Sequence, residues 1–177
     1  MKGETVTFSG KHYQVTGHTI NPIALQQPHP PVLIGGSGRR LLTLAAQRAD
    51  IVGLSGISFG RDGADISAWK GSGVDERISL VRAAAGEDRY SQLEINALVQ
   101  RVVVTDDRRQ TAEDLSRRWT QLNADEILQS PFVLIGTVDQ LIENLVANRE
   151  RWDISSYAIF ESDIEIFAPV VARLAGR

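Results

Sequence analysis

Six consecutive residues carry the densest potential for chemistry in this chain: Gly35, Gly36, Ser37, Gly38, Arg39 and Arg40. Three glycines offer bare backbone amides, a serine adds a hydroxyl, and two guanidiniums add fixed positive charge. All of these donate hydrogen bonds, so the set suits an anion, and a phosphate in particular. On residue types alone a second reading stands equal to the first. The glycines could serve only a tight strand-to-helix turn, with both arginines solvated.

The flanking residues explain how such a turn is held. Pro30 and Pro31 favour an extended entry, and Val32-Leu33-Ile34 is a short apolar run of the kind found in buried parallel strands. From Arg39 the period changes: Leu41, Leu44, Ala45 and Arg48 fall at helical spacing, widened by Leu42, Ala46 and Ala49. Asp50 then opens a second apolar run, Ile51 to Leu54. The stretch predicts a β-α-β unit whose first turn feeds a helix start, where free amides and the positive dipole end favour a phosphate. A dinucleotide fingerprint fits less well, since the third glycine of G-x-G-x-x-G is missing and no acidic residue ends the next strand.

The rest of the chain repeats that alternation. Residues 5–20 read as a hairpin, Thr5 to Phe8 and His12 to Val15 around Ser9-Gly10-Lys11. Residues 21–31 hold four of the six prolines and form a loop. Residues 55–72 are rich in Gly, Ser and Asp without a clear period. A helix is predicted over Asp75–Ala85, stopped by Gly86. Leu93–Thr105 is the longest predicted strand, and Thr111, as N-cap, opens a helix to Asn123. Thr137 and Gln140 form a capping box for a helix carrying Val138, Leu141, Ile142 and Leu145. A last strand spans Ser156–Glu161, and Asp163 caps a helix with Ile164, Phe167, Val171 and Leu174. One domain is expected over 1–177: an arm at 1–31 and four strand–helix units at 32–177. Such alternation means a parallel sheet, either half of a (β/α)8 barrel or a small doubly wound sheet.

Composition removes several classes of function. The 177 residues carry a net charge of −3, which gives no reason to expect nucleic acid as a partner. There is no cysteine, so disulfides and thiolate metal sites are excluded and a cytoplasmic address is the default. No apolar run could span a membrane, and the first fifteen residues lack the marks of a targeting segment. His12, His18 and His29 lack ligand spacing, and no metal site is expected. Asp106-Asp107 reads as a turn and Arg117-Arg118 as a solvated helix face. Glu94 and Asn96 fit a half-exposed strand, while Glu161 and Ser162 are weak pocket candidates.

Taken in order, GETVTFSGKHYQV, PHPPVLIGGSGRRLLTLAAQRADIVGL, SPFVLIGTVDQLIENL and FAPVVARLAGR resemble the C-terminal half of a luciferase-like monooxygenase, in the subgroup of F420-dependent oxidoreductases. The resemblance implies a (β/α)8 barrel of roughly twice this length. Val32–Gly36 would be its fifth strand, Ile51–Leu54 the sixth, Leu93–Thr105 the seventh and Ser156–Glu161 the eighth. It also implies that Gly35, Gly36, Ser37, Gly38, Arg39 and Arg40 approach the phosphate of coenzyme F420, or alternatively of FMN. It therefore tips the glycine turn towards the phosphate reading.

Two functions follow from that resemblance. The first is an F420- or flavin-dependent oxidoreductase, working by hydride transfer or monooxygenation on a small-molecule substrate, with no residue here standing out as general acid or base. The second is a catalytically incomplete half-barrel that binds cofactor or serves a structural role. An unrelated nucleotide-binding open sheet is a minor third. A homodimer is expected, because a half barrel leaves Val32, Ile34, Val99 and Ile159 on an uncovered inner face.

Overall fold

The computed structural model describes residues 3–61 and 63–175. The chain forms two compact units that divide between Val32 and Leu33. In the first, β1 (Val6–Ser9) and β2 (Gln14–His18) pair as an antiparallel hairpin, closed by the Gly10 N–H on the Tyr13 carbonyl. The second strand begins two residues later than the pattern predicts.

The second unit is built on four parallel strands: β3 (Leu33–Gly36), β4 (Ile51–Leu54), β7 (Glu94–Leu98) and β10 (Ile154–Ala158). Their order across the sheet is β10-β7-β4-β3, which is also their order in sequence. A doubly wound sheet reverses its strand order at a switch point. Here the order runs one way, and right-handed crossovers then put every connecting helix on the same face. That is barrel topology.

Between β3 and β4 lies α1 (Arg39–Arg48), and between β4 and β7 lie α2 (Gly71–Ala85) and the short α3 (Glu87–Tyr90). The described residues of the stretch predicted as aperiodic form regular elements. They include the hairpin strands β5 (Ser58–Gly60) and β6 (Gly63–Asp65), a 3-10 turn at Ser67–Trp69, and the first residues of α2. Gly71, Ser72 and Gly73 mute the helical signal there. Gly73 is needed nonetheless, since a Cβ at that position would stand 2.9 Å from the Ala68 carbonyl oxygen.

The long strand expected at 93–105 is two strands. The Val99 N–H bonds to the Ala158 carbonyl, but the Gln100 N–H bonds to that of Phe132. The chain thus leaves the main sheet, and β8 (Arg101–Val104) pairs in parallel with β9 (Val133–Gly136) in a second one. Side-chain periodicity carries no trace of such a change of partner. The helix expected from Thr111 starts three residues earlier, as α4 (Arg108–Arg118), because the Asp107 carboxylate accepts the Gln110 N–H at 3.0 Å. Thr111 sits within its first turn and donates its hydroxyl to the Asp107 carbonyl. A short α5 (Ala124–Leu128) follows, with its own capping box of Asn123 and Glu126.

The Thr137–Gln140 capping box opens α6 (Val138–Trp152) as its pattern predicts. β10 starts two residues before the predicted strand and ends at Ala158, leaving Glu161–Asp163 as a 3-10 turn ahead of α7 (Ile164–Leu174). Asp163 does not cap that helix. Its buried carboxylate instead accepts the Val102 N–H at 3.1 Å, tying the turn to β8.

Side chains on the helix side form two packed clusters. One joins Val52, Leu54, Ile95 and Ala97 of the sheet to Leu42, Ala45 and Ala46 of α1 and Val74, Ile78 and Val81 of α2. The other joins Val99, Val102 and Leu134 to Leu141, Leu145, Phe167 and Val170. Ile34, placed on the inner face by the sequence reading, packs with the first cluster, because it stands in register with Val52. Val99 and Ile159 belong to the second. Strand alternation gives the inner face to Leu33, Gly35, Gly53, Asn96 and Ser156 instead.

Candidate functional site

The glycine turn closes β3 and opens α1 at the C-terminal ends of the parallel strands, the end at which (β/α) barrels assemble their sites. Gly35 and Gly36 are the last residues of the strand. Gly35 lies beside Gly53 in register, backbone against backbone, and a Cβ on Gly53 would stand 3.1 Å from the Gly35 Cα. A Cβ on Gly36 would collide with the Leu41 side chain at 2.6 Å. Packing therefore constrains Gly53 and Gly36, while a Cβ on Gly35 would meet only ordinary contacts, the nearest at 3.6 Å. Gly38 differs: it is the N-cap of α1, has ordinary extended dihedrals, and a Cβ there would meet nothing within 4 Å.

Three ties hold the turn. The Ser55 N–H donates to the Gly36 carbonyl, and the Ser37 hydroxyl donates to the Ile57 carbonyl at 2.7 Å. Arg77 of α2 donates its Nε to the Ser37 carbonyl at 3.2 Å. The Gly38 carbonyl accepts from both Leu41 and Leu42, so α1 is wound from its first turn. Among the described residues, no group accepts from the N–H of Gly38, Arg39 or Arg40. No acidic side chain stands in the first turn of α1 and none caps it. The start of this helix thus presents three consecutive free donors with open space beside Gly38, at the positive end of ten aligned peptide dipoles.

Of the six residues singled out in the sequence, Ser37, Gly38 and Arg39 line one cavity of about 230 Å³, faced by Ser58, Glu76 and Arg77. Arg40 is exposed and lies outside that lining. The Ser37 hydroxyl has its proton engaged on Ile57, so its role in the observed turn is to hold the loop. Arg77 was missed by sequence reasoning. It lies in a helix whose start was obscured by glycines, and nothing in a linear pattern shows it reaching a carbonyl forty residues away.

The remaining candidates do not gather around this turn. Asp107 caps α4, and Arg117 is paired with Asp114 at the exposed end of that helix. Asn96 is buried and donates to the Ser156 hydroxyl at 2.9 Å across the inner face, while Glu94 is exposed. Glu161 and Ser162 are exposed in the 3-10 turn before α7. The three histidines are exposed in the first unit. Among the described residues no group of three or more His, Cys, Asp or Glu side chains could hold a metal ion. Burial pushes the Tyr157 hydroxyl up to about 12, but that side chain packs between the two helix-side clusters. Among the described residues, no helix is long and apolar enough to cross a membrane.

Parallel strands in sequential order with helices on one face define a (β/α) barrel protein, here with four of its βα units. Residues 1–126 match the family described as luciferase-like monooxygenase, and the chain belongs to that family. Solved structures agree on the fold. An F420-dependent secondary alcohol dehydrogenase, solved with an F420–acetone adduct, is 15% identical with a TM-score of 0.58, matching 95% of this chain and 55% of its own. The coenzyme F420-dependent tetrahydromethanopterin reductase of Methanopyrus kandleri gives 11% and 0.61 over 92% of this chain and 54% of its own. A riboflavin lyase solved with modified FMN and riboflavin gives 13% and 0.59 over 95% and 48%. The chain spans about half the length of these structures.

Proposed function

We propose that the glycine turn seats the phosphate of a deazaflavin or flavin cofactor in an oxidoreductase of the luciferase-like family. The observation that carries this reading is the trio of unpaired amides at Gly38, Arg39 and Arg40, opening a helix at the C-terminal end of a barrel strand. Arg39, at the edge of the same cavity, adds charge that pairs with a phosphate. Coenzyme F420 is the favoured cofactor and FMN the alternative, supported by the resemblance to the F420 subgroup. When bound, F420 supplies hydride transfer and a flavin also supplies oxygen chemistry. The residues of this chain supply the anchor and its orientation.

A second reading, a cofactor-binding module without turnover of its own, is favoured by the inner face. At the level nearest the turn it carries Gly35, Gly53, Asn96 and Ser156, none of which exchanges a proton near neutral pH. For the expected homodimer, three of the four inner-face residues first invoked, Ile34, Val99 and Ile159, are reassigned, and the support that remains is the two sheet edges. β3 and β10 are each hydrogen-bonded on one side only within the main sheet.

Titration of the protein with F420 and with FMN, read by fluorescence, tests the first reading. It expects saturable binding that inorganic phosphate competes away, with F420 the tighter ligand. Absence of binding to both cofactors, with the fold intact, overturns it.

A further inference from the structure

Arg77 links α2 to the glycine turn. From that helix its Nε donates to the Ser37 carbonyl at 3.2 Å and its Nη1 to the Gly73 carbonyl at 2.8 Å. A peptide group is planar and trans, so the Ser37 carbonyl and the Gly38 N–H point in opposite directions. A guanidinium that holds the carbonyl towards α2 therefore aims the Gly38 N–H away from α2. Freed from Arg77, the same peptide could rotate and turn its carbonyl, a partial negative charge, to where an anion would sit.

We propose that Arg77 is a positioning residue for anion binding at this turn: it fixes the direction of the first free amide without being the group on which the anion rests. The proposal builds on the phosphate reading above. Arg77 and Glu76 line two cavities on the α2 side, about 230 Å³ beside α1 and about 310 Å³ beside the start of α2, so the Gly38 amide faces away from the Glu76 carboxylate. Hydrogen bonds rather than deep packing hold the guanidinium in place. Its removal thus loosens the turn without opening either apolar cluster. A lysine cannot reproduce the function, since one ammonium lacks the planar fork that reaches two carbonyls with fixed geometry.

The test compares the wild type with Arg77→Met and Arg77→Lys. Two quantities are measured: the amide resonance of Gly38 in the ligand-free protein, and the affinity for inorganic phosphate and for FMN. In Arg77→Met the Gly38 and Arg39 resonances should move while those of β10 and α7 stay. Affinity for phosphate should fall about fivefold or more, the scale of one lost hydrogen-bond alignment. Millimolar free guanidinium should restore part of it, and Arg77→Lys should recover less than half of the loss. An unmoved Gly38 resonance in Arg77→Met overturns the proposal, whether affinity falls, which would place Arg77 on the anion itself, or stays. If the wild type binds neither ligand, the phosphate reading fails, and the Gly38 resonance still decides whether Arg77 positions the turn.

Discussion

The two faces of the four-stranded sheet are unlike. Towards the helices, Val52, Leu54, Ile95 and Ala97 are fully enclosed by α1, α2 and their neighbours. On the other face Leu33 is 51% exposed, Gly35 and Gly53 have no side chains, and the polar pair Asn96 and Ser156 face each other. The strand's two-residue period writes both faces into the same short segments. One set of alternate residues holds the fold together. The other keeps the inner surface small and polar beside a turn whose amides are free.

The largest effect that sharpens this contrast comes from adjacent residues on one strand. Ile95→Ala should destabilise the protein by about 2–5 kcal/mol, as should Leu141→Ala in the second cluster, because both sites are enclosed on all sides. Asn96→Ala, one residue further along, should cost only about 0.5–1.5 kcal/mol for its bond to Ser156. Denaturant midpoints measure all three. Equal losses at 95 and 96 would break the distinction between the faces.

Next in size is Gly38→Asp. The backbone there is ordinary and a Cβ meets nothing, so the change is tolerated, and aspartate is a good N-cap. Its carboxylate would occupy the free amides. Thermal stability should hold or rise by a few tenths of a kcal/mol, while affinity for inorganic phosphate falls about tenfold or more, about 1.4 kcal/mol. Gly36→Asp is a poorer probe, because a side chain there strikes Leu41.

The smallest effect lies far from the turn and serves as a control. The Asp75 carboxyl is held below the usual carboxylate range, chiefly by the Trp152 indole N–H at 2.6 Å and also by Arg151, against an opposing desolvation. A depressed carboxylate contributes stability that is fully present above its unfolded value, about 3.9, and is lost as pH falls through the folded one. Asp75→Asn should therefore cost under about 1 kcal/mol at pH 7, since the group is largely exposed, and the gap should close towards pH 2–3. Phosphate affinity should not change. Urea midpoints at the two pH values check the first part.

Much of the helix side was legible in the sequence. The spacing of Leu42, Ala45 and Ala46, the run Val52 to Leu54 and the Thr137–Gln140 box each state a local preference that the fold obeys. What was hidden depends on partners distant in sequence. The break between β7 and β8 reflects a change from Ala158 to Phe132 as hydrogen-bond acceptor, and Asp163 is drawn from capping to the Val102 amide. The site divides in the same way. The glycines and arginines were visible, but the separate duties of Gly36, for packing, and Gly38, for open space, needed the neighbouring Leu41. The reach of Arg77 needed α2 in place.

The most direct measurement is a titration of isotope-labelled protein with inorganic phosphate, followed through its backbone amide resonances. Saturable shifts are expected at Gly38, Arg39 and Arg40, abolished by Gly38→Asp and retained in Asp75→Asn. Resonances that stay fixed at these three amides in a folded protein, or shifts of equal size at the starts of α4 and α6, would contradict the phosphate reading.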